Sequence, residues 1–203
     1  MANQHGILLD REVKDFLIAI LVLFSGYVIS IYIDSRFPLS SLPLVMLVSL
    51  FSIVLAFSAH EGAHRFISIR LGAIAFFKKW NTGLLLIIIS SLLGSLFATA
   101  GAVQFTGITD KSKIGKSALA GPATNLIIGT SVYGAYMLAG FSSVSLFGFF
   151  MINIYRINLW LGLFNMIPIP PIDGSKVFGW NIKIFLIVFI VAIGLNIISG
   201  SFI

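Results

Sequence analysis

His60-Glu61-Gly62-Ala63-His64 is the stretch of this chain whose residue types and spacing best suit chemistry. On a helix, residues i and i+4 share a face, so both imidazoles can grip one Zn²⁺ ion. The glutamate between them is near enough to take a proton from a water that the metal activates. The pattern alone lacks a third ligand. Ile167-Pro168-Ile169-Pro170-Pro171-Ile172-Asp173-Gly174, at the end of a later apolar run, supplies a candidate in Asp173.

Few other groups compete for the role. The chain has seven acids, Asp10, Glu12, Asp15, Asp34, Glu61, Asp110 and Asp173, and only Glu61 and Asp173 adjoin both an apolar run and a metal-like motif. Two of its three histidines lie in the motif, and the third, His5, reads as a solvated tail residue. There is no cysteine, so a disulfide frame and a thiolate metal site are excluded and any metal needs nitrogen and oxygen ligands. As an alternative, His60 and His64 would merely cap backbone carbonyls at a helix end, and Asp173 would sit solvated in a loop. That reading leaves the spacing, Glu61 and Asp173 as separate coincidences.

The elements that must position these residues are membrane helices. Of 203 residues 58% are hydrophobic and 10% charged, against about 25% charged in a soluble domain. Residues 37–59, just before His60, carry no charge at all. Apolar runs near the roughly 20 residues needed to cross a bilayer are 16–33, 43–69, 84–103, 118–140, 146–166 and 184–203. The first ends at Tyr32-Ile33-Asp34 without a small-residue cleavage site and reads as a retained span rather than a signal peptide. The net charge of +6 comes from bases scattered over short loops, not from a basic face with interleaved aromatics, which argues against nucleic acid as a partner.

Geometry then tests the count. His60, His64 and Asp173 must lie within about 2 Å of one zinc, so the ends of the second and fifth runs must share a side. Six crossings would put them on opposite sides. The run 84–103, with Ser90-Ser91, Gly94-Ser95 and Thr99-Ala100-Gly101, is small and polar enough to be a re-entrant segment buried against protein. Five crossings then place nearly all bases on one side, with Arg36 opposite, and the positive-inside rule makes that side cytoplasmic, with the N-terminus and the metal motif. The expected fold is an all-α polytopic membrane protein of five to six transmembrane helices with a re-entrant segment and a short β-hairpin. Residues 72–77 and 102–107, bounded by glycine, are its candidate strands. No internal repeat or long loop divides the chain, so 1–203 reads as one transmembrane domain with its core at 37–174.

Pro168, Pro170 and Pro171 cannot continue a regular helix, so the chain must unwind before Asp173, with Gly174 allowing the backbone to turn away. Asn125, Asn158 and Asn165 lie in or beside apolar helices, where amides commonly join helices by hydrogen bonds, and Asn158 reads that way. For Asn165 the residues leave a structural and a catalytic role equally open. Arg156, in the middle of an apolar run, has three readings: pairing with a buried carboxylate, lining a water path, or touching substrate.

His60-Glu61-Gly62-Ala63-His64 and Asn165-Met166-Ile167-Pro168-Ile169-Pro170-Pro171-Ile172-Asp173-Gly174 resemble the paired signatures of the site-2 protease family, intramembrane zinc metalloproteases. Gly121-Pro122-Ala123-Thr124-Asn125 is similar to a further Gly-Pro-x-x-Asn element of that family, and the anchors follow the family's order across 37–174. The resemblance implies one zinc per chain on His60, His64 and Asp173, Glu61 as general base, and Asn165 holding the oxyanion. Two departures are Gly62-Ala63, where a larger residue then glycine is commoner, and the added length of 84–103. The chain has no room for the peptide-binding or regulatory domains that the family often carries.

The expected activity is cleavage of a transmembrane helix of a protein substrate within or near the lipid bilayer. Such a helix must first unwind, and an edge strand near Gly72 or Gly101 could hold the opened peptide. The alternatives are a metal transporter that uses the three ligands as a transit site, or an inactive membrane scaffold with a structural zinc. Glu61 separates them, because hydrolysis needs a carboxylate that is not a ligand and coordination does not.

Overall fold

A computed structural model of the chain describes residues 2–35, 38–97 and 99–203, and the side chains of 2–8, 34 and 35 are outside that description. Arg36, the base expected opposite the others, and the side chain of His5 therefore lie outside the described residues. Seven helices and two strands follow in order: α1 (Ala2–Ser35), α2 (Leu42–Arg70), β1 (Ile74–Lys79), α3 (Asn81–Ser91), β2 (Gly101–Thr106), α4 (Lys111–Ala139), α5 (Leu146–Phe164), α6 (Asp173–Trp180) and α7 (Ile182–Ser199).

Among the described residues, four stretches are long and apolar enough to cross a membrane: Leu9–Ile33, Leu39–Arg70, Leu146–Phe164 and Ile182–Ser199. These make the chain a membrane protein. The run 118–140, expected as a span of its own, is part of the 29-residue α4 and is not one of these four. Its Gly, Ser, Thr, Asn and Pro residues lower its hydropathy, and three lysines open it. Small residues suit a helix whose neighbours are other helices. α4 packs against α2, α5 and α6, and a side chain at Gly129 would collide with Leu159, as one at Gly162 would with Leu126. Each glycine thus receives a leucine of the other helix, close packing that joins helices where lipid is as apolar as leucine.

Local signals account for the helix starts. Asp110 accepts the Lys113 amide (2.8 Å), Ser145 accepts the Gly148 amide (3.0 Å), and Asn181 accepts those of Lys183 and Ile184. Each cap satisfies an amide that the helix cannot, worth about 1 kcal/mol. α1 begins well before its apolar run, and its polar first turns carry Glu12 and Asp15 to the edge of the sheet.

β1 and β2 pair antiparallel with Ile74 opposite Thr106 and Lys79 opposite Gly101, so the expected hairpin forms one or two residues from its anticipated limits. The chain between the strands leaves the sheet and returns to it. α3 has 11 residues, about 16 Å of helix and too short to cross a bilayer. The irregular return leg is tied to protein: the Trp160 indole donates to Leu96 O (3.0 Å), the Phe97 amide to Ser90 Oγ (3.0 Å) and the Trp80 amide to Ala100 O (2.9 Å). Phe16 stacks on Phe57 and both meet Phe77 edge to face, with ring centroids 5.3–5.7 Å apart. Each such contact adds about 0.5–1.5 kcal/mol beyond area burial, and together they press the sheet against α1 and α2.

Helix direction follows from the contacts. Glu12 near the start of α1 meets Arg65 near the end of α2, while Tyr27 further along α1 bonds Asn153 in the first half of α5. The start of α4 lies on the end of α2, and Asn196 near the end of α7 bonds Leu159 O. Thus α1, α4 and α7 run away from the end that carries His64, and α2 and α5 run toward it.

Candidate metal centre

His60 and His64 lie on one face of α2, both buried. Asp173 reaches them because the chain unwinds after α5 and folds back. The Gly174 amide donates to Asn165 O (2.7 Å), closing the loop 165–174 on itself. A Cβ at Gly174 would strike the Met166 and Ile167 carbonyls, so glycine serves close approach here rather than the turning away expected of it. The candidate third ligand is thus the first residue of α6.

The three donor atoms converge. His60 Nε2 and His64 Nε2 are 3.0 Å apart, and Asp173 Oδ2 is 2.9 Å from His64 Nε2 and 3.5 Å from His60 Nε2. Ligands about 2.0–2.1 Å from a tetrahedral zinc are separated by roughly 3.3 Å, so these atoms occupy three corners of such a site. Two imidazoles and one carboxylate, with no thiolate, also suit zinc.

Each ligand is held by its other atom. His60 Nδ1 donates to Asn125 Oδ1 (2.5 Å) and His64 Nδ1 to Ser117 O (2.7 Å), which leaves both Nε2 lone pairs for metal. Asn125 in turn donates to Ala56 O (3.0 Å) and Asn158 Oδ1 (2.9 Å), and Asn158 to Ile154 O (2.9 Å). Asn158 links α5 to α4 through the amide that fixes His60. Lys176, one turn along α6, bonds Asp173 Oδ1 (3.0 Å) and turns Oδ2 to the histidines. A side chain at Gly121 would run into both Nε2 atoms, so only glycine lets α4 cross this close to the pair.

Glu61 is buried on the next face of α2 and lines a cavity of about 300 Å³ together with His60, Asp173 and Asn165. Its Oε2 accepts the Val103 amide of β2 (2.9 Å). The sheet therefore fixes the rotamer of the acid between the histidines. Asn165 follows the last residue of α5 with its Nδ2 donating to Leu161 O (3.0 Å), leaving a second hydrogen on that nitrogen. Arg156 is elsewhere: it lines a different cavity, on the side of α5 toward Tyr27 and Asn153. Lys176, Ser117 O and the Val103 amide were not singled out from the sequence. Two of them are backbone atoms, which carry no residue signature, and a lysine three places after an aspartate is commonplace.

The class defined by this arrangement is a zinc hydrolase built among membrane helices. Over 187 residues the chain is 37% identical to a Methanocaldococcus jannaschii protein named "putative zinc metalloprotease", covering 91% of this chain and 92% of that one. It is 30% identical over 159 residues to a Bacillus subtilis protein of the same description, covering 70% of each. The chain belongs to this zinc metalloprotease family, with one zinc as its cofactor, in keeping with the resemblance to site-2 proteases. No family model matches the sequence, and no solved structure matches it.

Proposed function

We propose that the chain is an intramembrane metalloprotease of the site-2 type, a single domain over 1–203 that hydrolyses peptide bonds within or near transmembrane helices of protein substrates. The observation that carries this reading is Glu61: a buried carboxylate outside the ligand set, in the same cavity as His60 and Asp173, two of the three candidate ligands. A transit site or a structural zinc has no use for such a group.

Bound zinc supplies Lewis acidity, lowering the pKa of a water toward about 7 and polarising the scissile carbonyl. Glu61, steered by the Val103 amide, takes the proton from that water and returns it to the leaving amine. Asn165 turns its second amide hydrogen to the oxygen that gains charge. Asn125 and Ser117 O hold the imidazole tautomers throughout. A helical substrate keeps its carbonyls in backbone hydrogen bonds, so it must be cut as extended chain, which favours segments with helix-weakening residues at the cut.

The sheet offers one edge for that chain. The outward amides of β1 are taken by α1, Phe77 N–H by Glu12 (3.0 Å) and Lys79 N–H by Asp15 (3.4 Å). On β2 Glu61 takes the Val103 amide, but the strand borders the cavity through Gly101, Ala102 and Gln104, so strand addition belongs there. For topology, α1, α2, α4, α5 and α7 cross the bilayer in alternation and the α3 segment is re-entrant. Arg65, Arg70, Lys78, Lys79, Lys111 and Lys113 gather at the end toward which α2 and α5 run, and the positive-inside rule makes that end cytoplasmic.

The test is Glu61→Gln beside wild type in liposomes with a panel of single-span substrates, reading zinc content and cleavage. About one zinc per chain in both, with cutting by wild type alone, is the expected result. Unimpaired cutting by the variant would sink the mechanism, and zinc in both with no cutting of any substrate would favour a transporter or scaffold.

A further inference from the structure

A second and larger cavity, about 970 Å³, lies between α1, the start of α2, the return leg after α3, and α5. Arg156 projects into it from α5. One guanidinium nitrogen donates to Phe202 O (3.1 Å), but Nε is buried with no hydrogen-bond partner, and no carboxylate lies within ion-pair distance of Arg156 among the described residues. The other polar side chains nearby are already engaged with one another: Tyr27 Oη donates to Asn153 Oδ1 (3.1 Å), and Asn153 Nδ2 to Phe149 O (2.8 Å). A guanidinium has five N–H donors and a fixed charge. Water can satisfy the donors, but the fixed charge, on a half-buried side chain, has no carboxylate partner among the described residues and favours an anion beside it. The missing element is an anion.

Depth narrows the choice. Arg156 precedes Asn165 by nine residues, about 13 Å along the helix away from the metal. Side chains on a helix lean toward its N-terminus, so the guanidinium faces the far end of α5, where Ser143 and Ser145 border the same cavity. That is the end of the helix bundle away from the zinc site. The remaining wall is mainly apolar, with Leu44, Val45, Phe97, Leu146 and Trp160. A large space, cationic at one point, edged by serines and otherwise mainly apolar, suits an amphiphile better than a small hydrated ion.

We infer that this cavity binds the phosphate-bearing headgroup and upper acyl chains of an anionic phospholipid from the leaflet opposite the zinc site, with Arg156 as the cation that selects it. The bound lipid would fill the space between α1 and α5 and tie these helices together. This site is independent of the proteolytic reading.

The experiment compares wild type, Arg156→Met and Arg156→Lys in detergent, titrated with phosphatidylglycerol, phosphatidylcholine or inorganic phosphate, reading native mass spectra and melting temperature. Wild type should prefer phosphatidylglycerol over phosphatidylcholine by about tenfold, Arg156→Met should lose that preference, and Arg156→Lys should keep part of it. Zinc content serves as the folding control. Equal binding of the two lipids by wild type, or an undiminished preference in Arg156→Met, would overturn the site. Inorganic phosphate reproducing the thermal shift would overturn the lipid in favour of a free anion. Should Arg156→Met fail to fold, the wild-type preference and its weakening in Arg156→Lys decide the matter.

Discussion

Two cavities stacked along α5 treat buried polar groups in opposite ways. Around the histidines each ring has a partner: His60 is fixed by Asn125, Asn125 by Asn158, and His64 by a backbone carbonyl. About 13 Å further along the helix, Arg156 keeps a buried Nε with none. The first region is preorganised for an ion whose ligands must be aimed within fractions of an ångström. The second is a larger, mostly apolar space with one loose charge, which suits a flexible guest. Burial by itself thus says little about function, and the state of the hydrogen bonds says more.

The comparison is broken most severely by removing a ligand. Asp173→Ala should drop zinc from about one per chain to near zero and abolish cleavage, since two imidazoles alone do not make a closed zinc site, with metal analysis of purified protein as the check. Gly121→Ala comes next. Its methyl group would enter the space of both Nε2 atoms, so α4 and α2 must separate and zinc affinity should fall by more than about 100-fold in chelator competition. Asn125→Ala keeps the backbone but frees the His60 ring, and the expected loss is about 10–100-fold in zinc affinity. Lys176→Met leaves Asp173 in place without its orienting partner, and a smaller loss, about tenfold or less, is expected by the same titration. Arg156→Met sharpens the contrast from the other side, with zinc content and affinity unchanged. A loss of zinc there would mean that the two cavities are one coupled system.

Much of the site was legible because its chemistry is spelled in residue types. A His-Glu-x-x-His pattern ending a charge-free run and a proline-broken segment before an aspartate have few other uses, and the requirement that the ligands meet already marked 84–103 as the segment that returns. In the structure the proline-broken segment brings Asp173 to the histidines, α3 is short, and the chain after it pairs with β1. The hairpin, too, followed from glycine-bounded β-branched and aromatic runs. Less visible was anything that depends on which backbone atom faces which side chain. Nothing in the sequence marks Val103 as the donor to Glu61, Ser117 as the carbonyl for His64, or Gly174 as a point of close approach.

Composition and spacing alone determined that this chain lives among lipid, uses nitrogen and oxygen ligands, and carries a non-ligand acid beside its metal pair, because hydropathy and ligand chemistry are properties of residue types. Tertiary structure alone decided that Asn125 serves His60, that β2 steers Glu61 while α1 closes the edge of β1, and that Arg156 belongs to a separate cavity. Those outcomes depend on the packing of helices distant in sequence, where a shift of one turn, about 5.4 Å, would give every buried polar group a different partner.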